Sequence, residues 1–254
     1  MGPENPFAAN AVGELYARGR PYHHPRSLAR IRTLVGDAPC AEALDVACGT
    51  GMSTVALSEH AARVVGLDAS PEMMRVAPTG AGRHYLLGNA ERLPFPDATF
   101  DAATCCSGVH WFDQRRFFTE LRRVLRPNAW VGLYDHYFIG EMVDVPAFAA
   151  WAGEAMERYP LPERNHQVGD PRTNTPPGFE KIADEFYNDD RAMTQDAFVD
   201  YQLTISNFVA AAERGTPRTE LRDWLMLSTD PLFGGAETRI VRFLGSITCL
   251  RRLA

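Results

Sequence analysis

The chain has 254 residues and a mass of 28.2 kDa, which suits one domain with an elaboration, or two small domains. Hydrophobic residues make up 45% and charged residues 23%, a balance that excludes a disordered chain. Lys and Arg number 26 against 32 Asp and Glu, and the net charge of −6 argues against nonspecific binding to nucleic acid or an anionic membrane.

No apolar run approaches the roughly 18 residues needed to span a bilayer, so no membrane partner is expected. Residues 1–11 are polar and lack the basic-then-apolar order of a secretory signal. The 5 cysteines, Cys40, Cys48, Cys105, Cys106 and Cys249, form no CxxC pair. Their odd number argues against a disulfide framework, and a cytoplasmic location is expected.

In chain order, residues 43–47 read as a strand, and a helix starts over 53–59. A second strand covers 63–68. Ser70, Pro71 and Glu72 then open a helix, as cap, first-turn residue and dipole partner. Strands follow at 84–88 and 100–106. Over 114–125, Phe117, Phe118, Leu121, Val124 and Leu125 fall at helical spacing. Arg126-Pro127-Asn128 stops that helix before a fifth strand at 129–135. This rhythm predicts an α/β fold, a doubly wound and mostly parallel seven-stranded sheet.

The rhythm breaks after His136. A helix is expected over 146–158, a Pro-, Asn- and Gly-rich loop over 160–178, and a strand over 179–192. Helices are expected from 195 to about 208 and over 219–226, with the last strand or strands within 238–252. The organisation expected is an N-terminal segment and cofactor core over 1–139, a helical lid insertion over 140–178, and completion of the core over 179–254. Phe148, Trp151, Met156 and Tyr159 form one apolar face of the lid.

Gly49 and Gly51 sit where the first strand turns into a helix, so backbone can turn tightly and approach a ligand. Asp68 ends the next strand, 17 residues beyond Gly51. A carboxylate there can accept both hydroxyls of an adenosine ribose, which points to a nucleoside ligand. A dinucleotide fingerprint requires a third glycine, and Thr54 stands in its place. Asp45, beside the turn, suits a ligand bearing an ammonium group better than a pyrophosphate.

Asp45-Val46-Ala47-Cys48-Gly49-Thr50-Gly51 resembles motif I of the class I S-adenosylmethionine-dependent methyltransferases, with Ala47 at the usual first glycine. The resemblance continues through 65–74, through Gly88-Asn89-Ala90-Glu91-Arg92-Leu93-Pro94-Phe95, and through Val109-His110-Trp111-Phe112 and Val124-Leu125-Arg126-Pro127. Asn128 replaces the glycine that usually follows, and Asn tolerates the left-handed conformation. The flanks, Tyr16 to Tyr22 and Leu203-Thr204-Ile205-Ser206, are similar to the small-molecule branch that includes trans-aconitate-type methyltransferases.

The resemblance implies S-adenosyl-L-methionine as cofactor, S-adenosyl-L-homocysteine as product, and a small-molecule acceptor methylated on O, C or N. It implies that Asp68 binds the ribose, and that Asn89, Ala90, Ala69, Met73 and Leu93 surround the adenine. Asp45, Ala47, Gly49 and Gly51 would wrap the methionine portion, and Cys106 would offer its carbonyl to the amino group. Tyr16 and Arg20 are candidates for the cofactor carboxylate or an anionic substrate. His110, His136 and Tyr137, just past strand ends, are the candidate catalytic groups.

No DNA-methylation tetrapeptide follows the fourth strand, which reads Cys105-Cys106-Ser107-Gly108, and no basic recognition domain stands out. His23-His24 lacks a matching carboxylate cluster, so no metal is expected. A cyclisation or rearrangement that uses the same cofactor without methyl transfer is the alternative activity. A noncatalytic binding protein is a third reading, opposed by the intact Asp45, Gly49, Gly51 and Asp68.

Overall fold

A computed structural model describes residues 12–36, 40–162, 171 and 173–254. The N-terminal stretch 1–11 and much of the loop expected over 160–178 lie outside the described residues. Among the described residues, seven strands form one sheet in the order β3-β2-β1-β4-β5-β7-β6. They are β1 (Glu42–Val46), β2 (Arg63–Asp68), β3 (Arg83–Leu87), β4 (Phe100–Cys106), β5 (Leu125–Met142), β6 (Phe179–Met193) and β7 (Arg239–Arg252). The first five run parallel, and β7 is antiparallel to both β5 and β6. This is the α/β, Rossmann-like arrangement that the sequence rhythm predicts.

Apolar residues alternate between the two faces of the central strands. On one face Leu44, Val46, Leu67, Phe100 and Ala103 pack against Phe117, Leu121 and Val124 of α5 (Gln114–Val124). On the other, Ala43, Val64, Ala102 and Tyr134 meet Leu28 and Ile31 of α2 (His24–Val35) and Leu57 of α3 (Met52–Leu57). Both faces are covered, which is why these strands read as nearly continuous apolar runs. A third apolar cluster joins the far halves of β5 and β7 to α6 (Phe148–Arg158), α7 (Gln195–Gln202), α8 (Ser206–Glu213) and α9 (Arg218–Phe233). The short α1 (Val12–Gly19) precedes α2, and the single-turn α4 (Pro71–Met74) follows β2. Ser70 caps α4 by accepting a bond from the Met73 N–H, as its sequence context predicts.

Three boundaries differ from expectation. β5 starts at Leu125 and runs on to Met142, well past residue 135, because Asp135 to Phe138 and then Glu141 and Met142 pair with β7 across a bulge. The insertion therefore begins inside a strand. The single helix expected over 195–208 is two helices. Thr204 turns its hydroxyl onto the Tyr201 carbonyl, and Ile205 is extended. Arg20, far away in sequence, takes the Thr204 carbonyl at 2.9 Å and holds the break open. Finally, α9 extends both ends of the helix expected over 219–226. As expected, Asn128 adopts the left-handed conformation, with φ of 65°.

The loop that joins β3 to β4 is tied down by one side chain. Arg123 donates to the Phe95 and Leu93 carbonyls at 2.7 and 2.9 Å, and to the carboxylates of Asp97 and Glu120. Glu120 in turn accepts from the Leu93 N–H. A planar fork can satisfy several acceptors at once, which a lysine ammonium cannot. Arg123→Ala should lower unfolding stability by about 2–3 kcal/mol, and Arg123→Lys should restore less than half of that. Chemical denaturation of the three proteins measures both values.

Candidate active site

The turn after β1 uses positive φ at Ala47 (57°), Gly49 (53°) and Gly51 (78°). An alanine in that region is uncommon and stores strain at the first position. Two carboxylates hold the turn. Asp45 is fully buried and accepts hydroxyl bonds from Ser53 and Thr54 on one oxygen and from Thr104 on the other, at 2.6, 2.7 and 2.9 Å. Burial pushes its carboxyl up to about 6, against the pull of those hydroxyls. Asp45 was expected to face an ammonium group; with no exposed surface, it instead joins β1, β4 and α3. Asp68 accepts from the Gly49 N–H and the Ser70 N–H, both at 2.8 Å. Burial raises its carboxyl, and the backbone donors oppose that shift. Each oxygen keeps a further lone pair for a ligand hydroxyl.

Around this turn, Met73 is buried and its methyl lies 3.2 Å from where a Gly49 Cβ would stand. Gly51 is approached by protein: a Cβ there would meet the Tyr85 hydroxyl at 2.7 Å. Ala69 and Asn89 are exposed, and the Asn89 side-chain oxygen accepts from the Glu91 N–H. Ala90 and Leu93, expected beside the adenine, are 5% and 3% exposed and pack with Phe100 and Phe117. The N–H and carbonyl of Leu93 are taken by Glu120 and Arg123. Cys106 ends β4, and burial raises its thiol well above the ordinary range.

A cavity of about 810 Å³ opens at the carboxyl edge of β4 and β5. It brings Tyr16, Arg20, His110, His136 and Tyr137 together, and the glycine turn and Asp68 lie outside its lining. Tyr16 links the two regions: it lines the cavity, and its hydroxyl feels the charges of Asp68 and Asp135 while burial raises it. The Arg20 guanidinium lies over the Tyr16 ring at 4.7 Å and the Tyr201 ring at 5.2 Å. His110 belongs to a single 3-10 turn, Val109–Trp111, and its ring sits 4.9 Å from Trp111. From α6, Trp151, Ala152, Ala155 and Met156 reach the cavity. Phe148, Trp151 and Tyr159 are buried in the third cluster, and Met156 is exposed.

His136 is 4% exposed, and its ring is stacked between His23 at 4.1 Å and Phe243 at 4.8 Å. Its Nε2 bonds the Asp189 carboxylate at 2.9 Å. Burial lowers the imidazole to about 4, more than Asp189 raises it. Burial acts to raise Asp189, but Arg191 and His136 outweigh it and the carboxyl is lowered. The pair is therefore a neutral imidazole that donates to an anion, itself bridged to Arg26 and Arg191. Burial lowers His23 and His24 in the same direction. A ring nitrogen of each and the Cys106 sulfur lie within 4.8 Å of one another, a cluster that the sequence does not bring together. The Nδ1 atoms of those two histidines already bond the hydroxyls of Ser27 and Tyr134. Asp189 and Tyr201 escaped sequence reasoning because they reach the site from β6 and α7, more than 50 residues beyond the core motifs that end at Pro127.

Gly51→Ala should cost about 2–3 kcal/mol, from the positive φ and the Tyr85 contact together. Tyr85→Phe in the same chain should return about 1 kcal/mol of that, read as the coupling in a double-mutant cycle. For His136, the folded value lies below the ordinary one. Its contribution is present above about pH 6.5 and is lost as pH falls towards 4. Over that window wild type should lose about 3 kcal/mol more stability than His136→Gln, as followed by urea unfolding at each pH.

Residues 44–133 match the family model described as "Methyltransferase domain". Among curated proteins, the chain is 33% identical over 147 residues to the uncharacterized methyltransferase YcgJ of Bacillus subtilis, covering 54% of this chain and 56% of that one. It is 35% identical over 118 residues to the O-methyltransferase cnsE of Penicillium expansum, 43% of each chain. The chain spans about half the length of the curated relatives it matches. A solved structure from Anaeromyxobacter dehalogenans, named for the type II methyltransferases, superposes with a TM-score of 0.68 at 28% identity, over 88% of this chain and 95% of that one. Residues 44–133 are thus similar to a methyltransferase domain, carried by this chain in a Rossmann-like methyltransferase fold.

Proposed function

We propose that this protein is an S-adenosylmethionine-dependent methyltransferase that acts on a small molecule, with an oxygen as the favoured acceptor atom. The observation that carries this reading is Asp68. It ends β2, accepts the Gly49 and Ser70 N–H groups, and keeps lone pairs for two ribose hydroxyls beside a turn that crosses positive φ three times. The likeness to a fungal O-methyltransferase supports the choice of oxygen.

When bound, the cofactor supplies an electrophilic methyl group. The residues of this chain would do the rest. Asp68 would hold the ribose, and the Ala47–Gly51 backbone would wrap the methionine portion. Gly51 contributes through backbone shape, since Tyr85 fills the space at its Cα. Ala69, Met73, Asn89 and Ala90 border the adenine side, and the Cys106 carbonyl is offered to the amino group. Tyr16 and Arg20 stand between the cofactor half and the cavity. The acceptor lies in the 810 Å³ cavity under the lid helix α6.

Of the candidate bases, His136 is held by Asp189 and two stacked rings, and a value of about 4 makes it a weak base. His110 takes the acceptor proton as the new carbon–oxygen bond forms. Tyr137, 40% exposed at the rim, contributes to positioning. The free thiols of all five cysteines and the acidic charge support the cytoplasm as the place of action, with no nucleic-acid partner. Among the described residues, no helix is long and apolar enough to cross a membrane.

Calorimetric titration with S-adenosylhomocysteine tests the reading. Wild type should bind, and Asp68→Ala should bind at least about 30-fold more weakly, since two charge-assisted bonds are lost. Absence of binding to wild type overturns the proposal. His110→Ala should keep that affinity and lower turnover by about 10²–10⁴.

A further inference from the structure

The cavity wall carries three buried carboxamides with unanswered polar atoms. Gln114, Gln202 and Asn207 are 6%, 2% and 1% exposed, and all three line the cavity. Gln114 Oε1, Gln202 Nε2 and Asn207 Oδ1 have no hydrogen-bond partner among the described residues. Burying such an atom unpaired costs about 1–3 kcal/mol, and three around one space are a standing penalty. They come from separate places: the first turn of α5, the last residue of α7, and the first turn of α8 beyond the break at Thr204. The break that Arg20 holds open is what turns both Gln202 and Asn207 towards one cavity.

The rest of the lining decides what could answer them. The walls are aromatic, with Trp111, Phe138, Trp151, Tyr201 and Phe208, which favours a flat ring. Among the described lining residues, Arg20 is the one guanidinium or ammonium; its Nη2 donates to the Thr204 carbonyl, and its Nε has no partner among the described residues. Carboxamides are uncharged, and each offers a donor and an acceptor on one arm. A hydroxyl or carbonyl oxygen matches them. An ionised carboxylate placed against the three amides would be desolvated with only Arg20 to answer it.

Building on the methyltransferase reading, we propose that Gln114, Gln202 and Asn207 form the acceptor-recognition set. The acceptor is then an uncharged aromatic compound that bears two or more hydroxyl or carbonyl oxygens, one of them the methylated atom. A polycarboxylate of the trans-aconitate kind does not fit this lining. In the transfer, the bond from carbon to sulfur breaks as the bond from that carbon to the hydroxyl oxygen forms. The hydroxyl proton passes to a cavity base, and S-adenosylhomocysteine leaves.

The test uses wild type and the variants Gln202→Leu, Asn207→Leu and Gln114→Leu, each titrated first with S-adenosylhomocysteine. The loaded proteins are then titrated with 2,7-dihydroxynaphthalene, 2-naphthol and naphthalene-2,7-dicarboxylate. Wild type should bind the diol at least tenfold more tightly than the other two. The variants should lose that preference and keep their S-adenosylhomocysteine affinity within twofold. Their Tm without ligand should stay level or rise by about 2–4 °C, because an unpaired polar atom has been removed. Gln202→Met, closest in shape, stands in for a leucine variant that does not fold.

Four results overturn the proposal: equal or tighter binding of the dicarboxylate, unchanged diol affinity in all the variants, no binding of any of the three naphthalenes, or a tenfold loss of S-adenosylhomocysteine affinity in the variants, which would assign the amides to the cofactor. A Tm drop beyond about 5 °C also counts against it, since the amides would then be bonded in the free protein. Failure of wild type to bind S-adenosylhomocysteine at all defeats the methyltransferase reading itself and is distinct from each of these.

Discussion

Two carboxylates hold one turn, and the rest of the site is arranged around that clamp. Asp45 lies inside the fold and gathers hydroxyls from α3 and β4, so the end of β1 cannot shift without breaking bonds in low dielectric. Asp68 comes from the neighbouring strand and takes the Gly49 N–H, fixing the turn from its outer side. Between them the backbone crosses positive φ at Ala47, Gly49 and Gly51. A chain so constrained is strained but ordered, and order in the free protein reduces what a ligand must pay on binding.

The second organising feature is the contrast between the two regions of charge. Beside the glycine turn, the carboxylates are answered by backbone N–H groups and hydroxyls. Beside the cavity, Asp189 is answered by Arg26, Arg191 and the neutral His136. Three imidazoles packed within a few ångströms would repel one another if charged, and burial keeps each neutral near pH 7. The stack therefore acts as a flat, polarizable wall.

Much of this was legible in the sequence because the central strands are buried on both faces. Continuous apolar runs marked β1, β2 and β4 within a residue, and Ser70 and Pro71 flagged the start of α4, which the structure caps through the Ser70 side chain. What was hidden depends on distant partners. Thr204 ends α7 locally, but the bond to the Thr204 carbonyl comes from Arg20, 184 residues earlier. The outer half of β5 reads as the start of a loop because its partner strand, β7, lies about a hundred residues on. Asp45 was visible as a carboxylate beside the turn, but Thr104, 59 residues away, reveals its internal use. The missing partners of Gln114, Gln202 and Asn207 could be found only with the cavity in view.

β5 divides its length between two tasks. Up to Tyr134 it pairs with β4 on one side and β7 on the other, and from Asp135 onward β7 is its one strand neighbour. The inner half is therefore locked into the sheet that supports the turn, while the outer half can change side chains at lower cost to that sheet. Substitutions that reshape the cavity should accumulate along 135–142 and on α6 and α8 while the inner half stays fixed. A lineage built on this plan can change its chemistry's target by repainting one end of a strand and leaving the other end untouched.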